Sequence, residues 1–288
     1  MMFTGKERDG ESGLDYFGAR YFSGAQGRFT SADSTAYSKM SNPQSWNLYA
    51  YAFNSPLKFT DPTGNEVRLA NCSSEEECSR TLAAIRNAVA NRYAASRVGM
   101  QKIERSGLGR LWAAITGAPQ HRVTISGDPA SFRSLGQNAV RLADMVTGSK
   151  VVHAAIATLA PIPGAIGGGQ MQFAGGLAGT PSQGADPPFA YVKPDPWRED
   201  PDTAGIIGGK YGTIPGANPG AAMAHELLGH LWGEMFGGQR AGVFGNLRES
   251  VQAENAVRAT DPTRGLKTQH HGRPVYTAQE IEKMMKRQ

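Results

Sequence analysis

The sequence predicts an α+β chain, a short all-β segment followed by a mixed domain, and three observations carry that prediction. Across residues 3–64, Tyr and Phe recur at regular intervals among Gly, Asn and Asp, the composition of short strands joined by tight turns. Beyond residue 66 the pattern changes to apolar helical periods opened by capping residues. A stretch rich in Gly and Pro, residues 160–220, then breaks that pattern into short strand-like runs. The boundary between 1–66 and 67–288 leaves the second part long enough for one ordinary domain with its own core.

Within the second part the elements follow in order. Ser73 or Ser74 with Glu76 or Glu77 makes a capping box, and Leu82, Ile85 and Val89 keep helical spacing to about Ser96. Residues 121–126 alternate like a strand. Asp128-Pro129 opens a second helix running to about Val146 and closed near Gly148. Residues 170–174, 189–193 and 210–214 read as short strands. Asn218-Pro219 caps the next helix, residues 246–259 form another with Asn246 as N-cap, and Thr277 to Glu280 caps the last.

Chemistry is proposed at one place, Ala224-His225-Glu226-Leu227-Leu228-Gly229-His230. His225 and His230 can supply two imidazoles to a zinc ion, and Glu226 can act as the base that activates a water. The usual metalloprotease helix spaces its histidines at i and i+4. Here the spacing is i and i+5. At about 100° per residue, five steps leave side chains ~140° apart, too far to grip one ion. A π-turn, which closes i→i+5 hydrogen bonds, absorbs the extra residue, and Gly229 makes the distortion cheaper.

A catalytic zinc needs a third protein ligand. Glu254 shares the inward face of its helix with Leu247 and Val251, and a carboxylate there needs a partner such as a metal. Its alternative is an i,i+4 pair with Arg258. Glu249 is the second candidate, although it also completes a capping box with Asn246. Whichever glutamate is not the ligand can orient a histidine. His270 and His271 lie in a polar run and read as loop residues; His271 is otherwise a candidate to stabilise a transition-state oxyanion, as are Tyr211 and Tyr276. His121 and His153 read as structural.

Two resemblances add to this. The runs Ser12-Gly13-Leu14-Asp15-Tyr16-Phe17-Gly18-Ala19-Arg20-Tyr21-Phe22, Gly27-Arg28-Phe29, Asn47-Leu48-Tyr49-Ala50-Tyr51 and Asp61-Pro62-Thr63-Gly64 recur in order with matching gaps. Residues 3–64 thereby closely resemble the RHS/YD-repeat-associated core, which terminates a large β-shell enclosing a variable C-terminal toxin. The resemblance implies that residues 67–288 are the toxin, that an RHS carrier or secretion machinery delivers it, and that a cognate immunity protein partners it. It also implies self-cleavage near Gly64 by an aspartyl pair matching Asp33 and Asp61, although turn formation is the preferred role for both. The chain then reads as a detached RHS tip.

The His-Glu-x-x-Gly-His segment is similar to that of the dipeptidyl-peptidase III family, zinc exopeptidases with the same inserted residue. By that resemblance His225 and His230 are zinc ligands and Glu226 is the general base. Glu254-Asn255-x-x-Arg258 resembles the Glu-Asn-x-x-Arg segment that follows the zinc helix in metallopeptidase toxins. The expectation is a zincin-like domain that hydrolyses a peptide bond in a peptide or protein substrate, with Zn2+ held by His225, His230 and Glu254. An interaction module without catalysis, or a nuclease using His270 and His271, is the alternative.

Composition sets further bounds. The net charge of +5 is spread without a Lys/Arg block before residues 283–287, so no nucleic-acid partner is expected. Residues 151–169 are apolar but broken by Pro161, Pro163 and glycines, and fall short of a membrane span. No apolar signal region opens the chain, so cytoplasmic synthesis followed by delivery into a target cell is expected. Cys72 and Cys78 can close a small loop or stay free; free thiols are the expectation.

Overall fold

The computed structural model describes residues 7–16, 21–31, 47–51, 66–103, 118–147, 151–162, 169–173, 175–194, 206–207, 219–236, 247–261, 265–270 and 273–285. Asp33, Asp61, Tyr211, His271, the run 210–214 and the caps Asn218 and Asn246 lie outside them.

The N-terminal strands pair as a four-stranded antiparallel sheet, β1 (Glu7–Arg8), β2 (Asp15–Tyr16), β3 (Tyr21–Ser23) and β4 (Arg28–Phe29), in that order. Its small core is an aromatic trio, Phe22, Phe29 and Tyr51, with ring centroids 5.2–5.9 Å apart. Arg8 binds both carboxylate oxygens of the buried Asp15.

A second, six-stranded sheet begins at Glu66, two residues beyond the Asp-Pro-x-Gly element. Its strands are β5 (Glu66–Leu69), β6 (Val98–Lys102), β7 (His121–Ile125), β8 (Val151–Ile156), β11 (Gly176–Gly179) and β12 (Phe189–Val192), in the order β11-β12-β8-β5-β7-β6. The central β12, β8 and β5 run parallel and the outer pairings are antiparallel. The mixed content bears out the α+β expectation. Val67, Leu69, Val123, Val152, Ala154, Ala190 and Val192 point to the helical face and share one continuous core with the helices. The apolar run at 151–156, broken only by His153, suits a central strand covered on both faces. Strands β9 (Leu159–Pro161) and β10 (Gln170–Gln172) form a separate hairpin.

Helix α1 (Glu75–Ala88) opens on the predicted box, with Ser74 and Glu77 exchanging reciprocal bonds. It stops well short of Ser96: Ala90 turns into the left-handed region at φ 61°, and Asn91 caps a new helix, α2 (Arg92–Arg97). The helix expected from Asp128 to Val146 is likewise two, α3 (Pro129–Arg133) and α4 (Gln137–Thr147). Gly136 separates them at φ 138°, a conformation a continuing helix cannot contain. Cys72 and Cys78 form a disulfide that staples the end of β5 to the start of α1, which corrects the expectation of free thiols. The burial of Cys78 in the core brings the two sulfurs together, a proximity that spacing alone left open.

Candidate metal site

Residues 219–236 make one continuous rod: α5 (Pro219–Met223), a π-helix (Ala224–Leu231) and α6 (Trp232–Phe236). The i+5 histidine spacing therefore falls on a helix whose bonds close i→i+5, as the sequence required. The rod packs against α7 (Leu247–Arg258) so closely that a Cβ on Gly229 would lie 2.3 Å from Ser250 Cα. Gly229 is thus needed for the approach of two helices, a stronger demand than the local distortion first assigned to it. Arg141 of α4, buried between them, donates to the carbonyls of Leu228 at 3.2 Å and Glu249 at 2.9 Å. Its guanidinium also stacks over Trp232 at 4.7 Å and bonds Gln252.

Three imidazoles converge. His225 Nε2 lies 2.9 Å from His270 Nε2, and His230 Nε2 lies 3.0 Å from the same atom. His270, expected as a solvated loop residue, is buried on β15 (Gln269–His270), which pairs with β16 (Arg273–Pro274). Among the described residues it joins His225 and His230 in a group that could hold a metal, and Glu254, expected as the third ligand, is not in that group.

Glu254 sits on the other nitrogen of His225, with Oε2 2.9 Å from Nδ1. A carboxylate only accepts, so Nδ1 donates to Glu254 and the far Nε2 faces the other two imidazoles. Glu254 was correctly placed on the inward face of its helix, but its partner there is the histidine. It is also flanked by Arg258 Nε at 2.7 Å and Lys267 Nζ at 3.3 Å. Burial pushes its carboxyl up, but the Lys267 and Arg258 charges with the His225 bond outweigh that and hold it well below the usual range. The i,i+4 pair with Arg258 and the orientation of His225 coexist on one side chain.

The other candidates fall elsewhere. Glu249 gives its carbonyl to Arg141, and Tyr276 packs under Arg248 with Val251, Leu266 and Ile281. His121 and His153 lie on the sheet, on β7 and β8.

Glu226 is buried beside His225. Burial raises its carboxyl; Glu254 adds to the rise, while His225, Lys267 and the Ala178 amide oppose it. That amide belongs to β11, which crosses the rod at the edge of the sheet. The Lys193 amide donates to the Gly175 carbonyl, so the alternation of an antiparallel ladder turns the Ala178 amide away from β12. Among the described residues no strand pairs with the other side of β11. A Cβ on Gly176 would lie 2.7 Å from Glu226 Oε1, so any larger residue there would displace the carboxylate. Ser182, in the turn after β11, donates its amide and hydroxyl to Glu234 of α6 at 2.8 and 3.0 Å, tying the strand to the rod. Of the runs read as short strands, β10 pairs with β9 and β12 lies inside the sheet, so the strand beside Glu226, β11, was not among them.

The donor set fits zinc: three imidazole nitrogens drawn together, one fixed by a carboxylate on its far nitrogen, with a buried glutamate alongside. The missed member, His270, left a faint signal. A catalytic zinc wants three protein ligands, and the His270-His271 pair was the richest unassigned source of imidazole.

Comparison with known proteins is sparse. No family model and no solved structure matches the chain. Toxin subunit YenC2 of Yersinia entomophaga is 42% identical over 64 residues, 22% of this chain and 6% of that protein. Part of this chain is similar to a toxin subunit. The chain spans a small fraction of that relative's length, so what the whole subunit does is not transferred by the match.

Proposed function

We propose that this protein is a zinc-dependent peptidase serving as the toxic portion of an RHS-type polymorphic toxin. The convergence of His225, His230 and His270 next to a buried Glu226 carries this reading. These three residues would hold the metal, which when bound supplies a Lewis acid for the scissile carbonyl and the attacking water. Glu226 takes the proton of that water and passes it to the leaving amine, a task its raised affinity for protons suits. Beside Glu226, which takes the Ala178 amide, the outward edge of β11 is where an extended peptide would bind as an added strand. The similarity to a toxin subunit supports the toxic role, and with it an immunity protein and a carrier as partners. No described helix is long and apolar enough to cross a membrane.

The test is elemental analysis of the full chain together with inducible expression in a bacterial host. Near-stoichiometric zinc is expected in the parent and in Glu226→Gln, with toxicity lost only in the variant. Undiminished toxicity of Glu226→Gln would refute the mechanism, and absence of zinc after reconstitution would favour an interaction module without catalysis.

A further inference from the structure

We infer that Asn255 is a positioning residue for the metal site: its side-chain amide fixes the backbone of Lys267 and thereby presents His270 to His225 and His230. The inference rests on the metal-site reading above and concerns how its third imidazole is held.

His225 and His230 share one helix, whereas His270 arrives from a separate segment. That segment is thin. Among the described residues, His270 lies on a two-residue strand paired with Arg273-Pro274, and the preceding β14 (Leu266–Lys267) pairs with the two residues of β13 (Ile206–Ile207). Ladders this short are marginal by themselves, and cannot alone hold a ring to the tolerance a metal demands. The buried Asn255 adds a side-chain anchor to these ladders. Its Nδ2 donates to the Lys267 carbonyl at 2.9 Å, and its Oδ1 accepts from the Lys267 amide at 2.8 Å. One side chain thus copies the paired bonds of a neighbouring strand, a match open to a carboxamide because it carries both donor and acceptor.

The adjacent Glu254 holds the Lys267 ammonium at 3.3 Å and the His225 ring at 2.9 Å. Two successive residues of α7 therefore grip the main chain and the side chain of one lysine, three residues before His270. The same dipeptide sets the ring of His225. Thr268 continues the path, its carbonyl accepting the Val275 and Tyr276 amides at 2.7 and 2.8 Å and closing the base of the hairpin. The Glu-Asn-x-x-Arg segment acquires a physical meaning: Glu254 orients one imidazole, Asn255 places another, and Arg258 helps keep Glu254 ionised.

The experiment is a double-mutant cycle on the full chain, with zinc affinity read by competition against a chromophoric chelator. Thermal unfolding of each variant checks that it is folded. Asn255→Ala is expected to weaken zinc binding about tenfold to hundredfold, the usual penalty for removing a group behind a ligand. His270→Ala weakens it as well, and adding Asn255→Ala to His270→Ala changes little further, because the two act through one contact. Equal weakening by Asn255→Ala with and without His270 would overturn the inference in favour of a general packing role. So would unchanged zinc affinity in Asn255→Ala. If Asn255→Ala folds poorly, Asn255→Ser carries the same cycle, since one hydroxyl cannot span both backbone groups. Failure of the parent to bind zinc is read in the same titration and would remove the metal-site reading itself.

Discussion

Two carboxylates in this molecule are built alike and do different things. Glu254 lies between Arg258, Lys267 and His225. Glu66 lies between Arg68 at 2.7 Å and Arg122 at 3.7 Å, with His153 beside Arg68 in the register of the sheet. The first cluster is sealed between helices and strand β14. The second sits on the face of the six-stranded sheet turned away from the helical core, and its arginines are more than a quarter exposed. In the first, the imidazole bonds the carboxylate and its other nitrogen meets two more imidazoles. In the second, burial and the Arg68 charge depress His153 to about 4, leaving it neutral. An acid between two cations does not make a site; the direction in which it turns a histidine does.

The sharpest way to break this contrast is to remove each histidine. His225→Ala is expected to abolish stoichiometric zinc, and His153→Ala to leave it intact, by elemental analysis. Equal metal loss from both would erase the distinction. Next come the carboxylates. Glu254→Gln removes the carboxylate charge from beside two buried cations and should cost about 3–5 kcal/mol of stability. Glu66 is itself buried but its two arginines reach solvent, so Glu66→Gln should cost less than Glu254→Gln. Denaturant unfolding of both variants decides whether burial or mere pairing sets the value.

A separate effect should appear with pH. His153 binds its proton less readily folded, at about 4, than unfolded, at 6.5. The unfolded chain therefore takes up the extra proton, and stability falls as pH drops from 6.5 through about 4. The loss is at most about 3 kcal/mol at acidic pH. Replacing His153 by Gln should flatten that part of the pH–stability curve; an unchanged slope would assign the acid sensitivity to other groups.

Caps and the site helix were legible in local spacing, whereas helix ends and long-range pairings were not. Ser74 with Glu77 and Thr277 with Glu280 form the reciprocal caps their spacing announced, because a cap involves neighbours in the chain. The π-helix was legible because two histidines and a glutamate in six positions leave few backbones on which both rings serve one ion. Ala90 and Gly136 broke two helices that apolar spacing had run through, since periodicity reports a buried face and not a change of φ. The parallel core strands β5 and β8, more than eighty residues apart, had no local signature beyond short apolar runs.

By itself the sequence determined the α+β class, the Ser74, Asp128 and Thr277 caps, the site helix and the inward face of Glu254, all consequences of spacing along one segment. Only the tertiary structure decided that His270 completes the imidazole cluster, that Glu254 orients His225, and that Cys72 meets Cys78. The reason is one of distance. His225 and His270 are joined through α7, the Asn255–Lys267 pairing and a short hairpin, and no periodicity within either segment encodes where those packed elements bring them together.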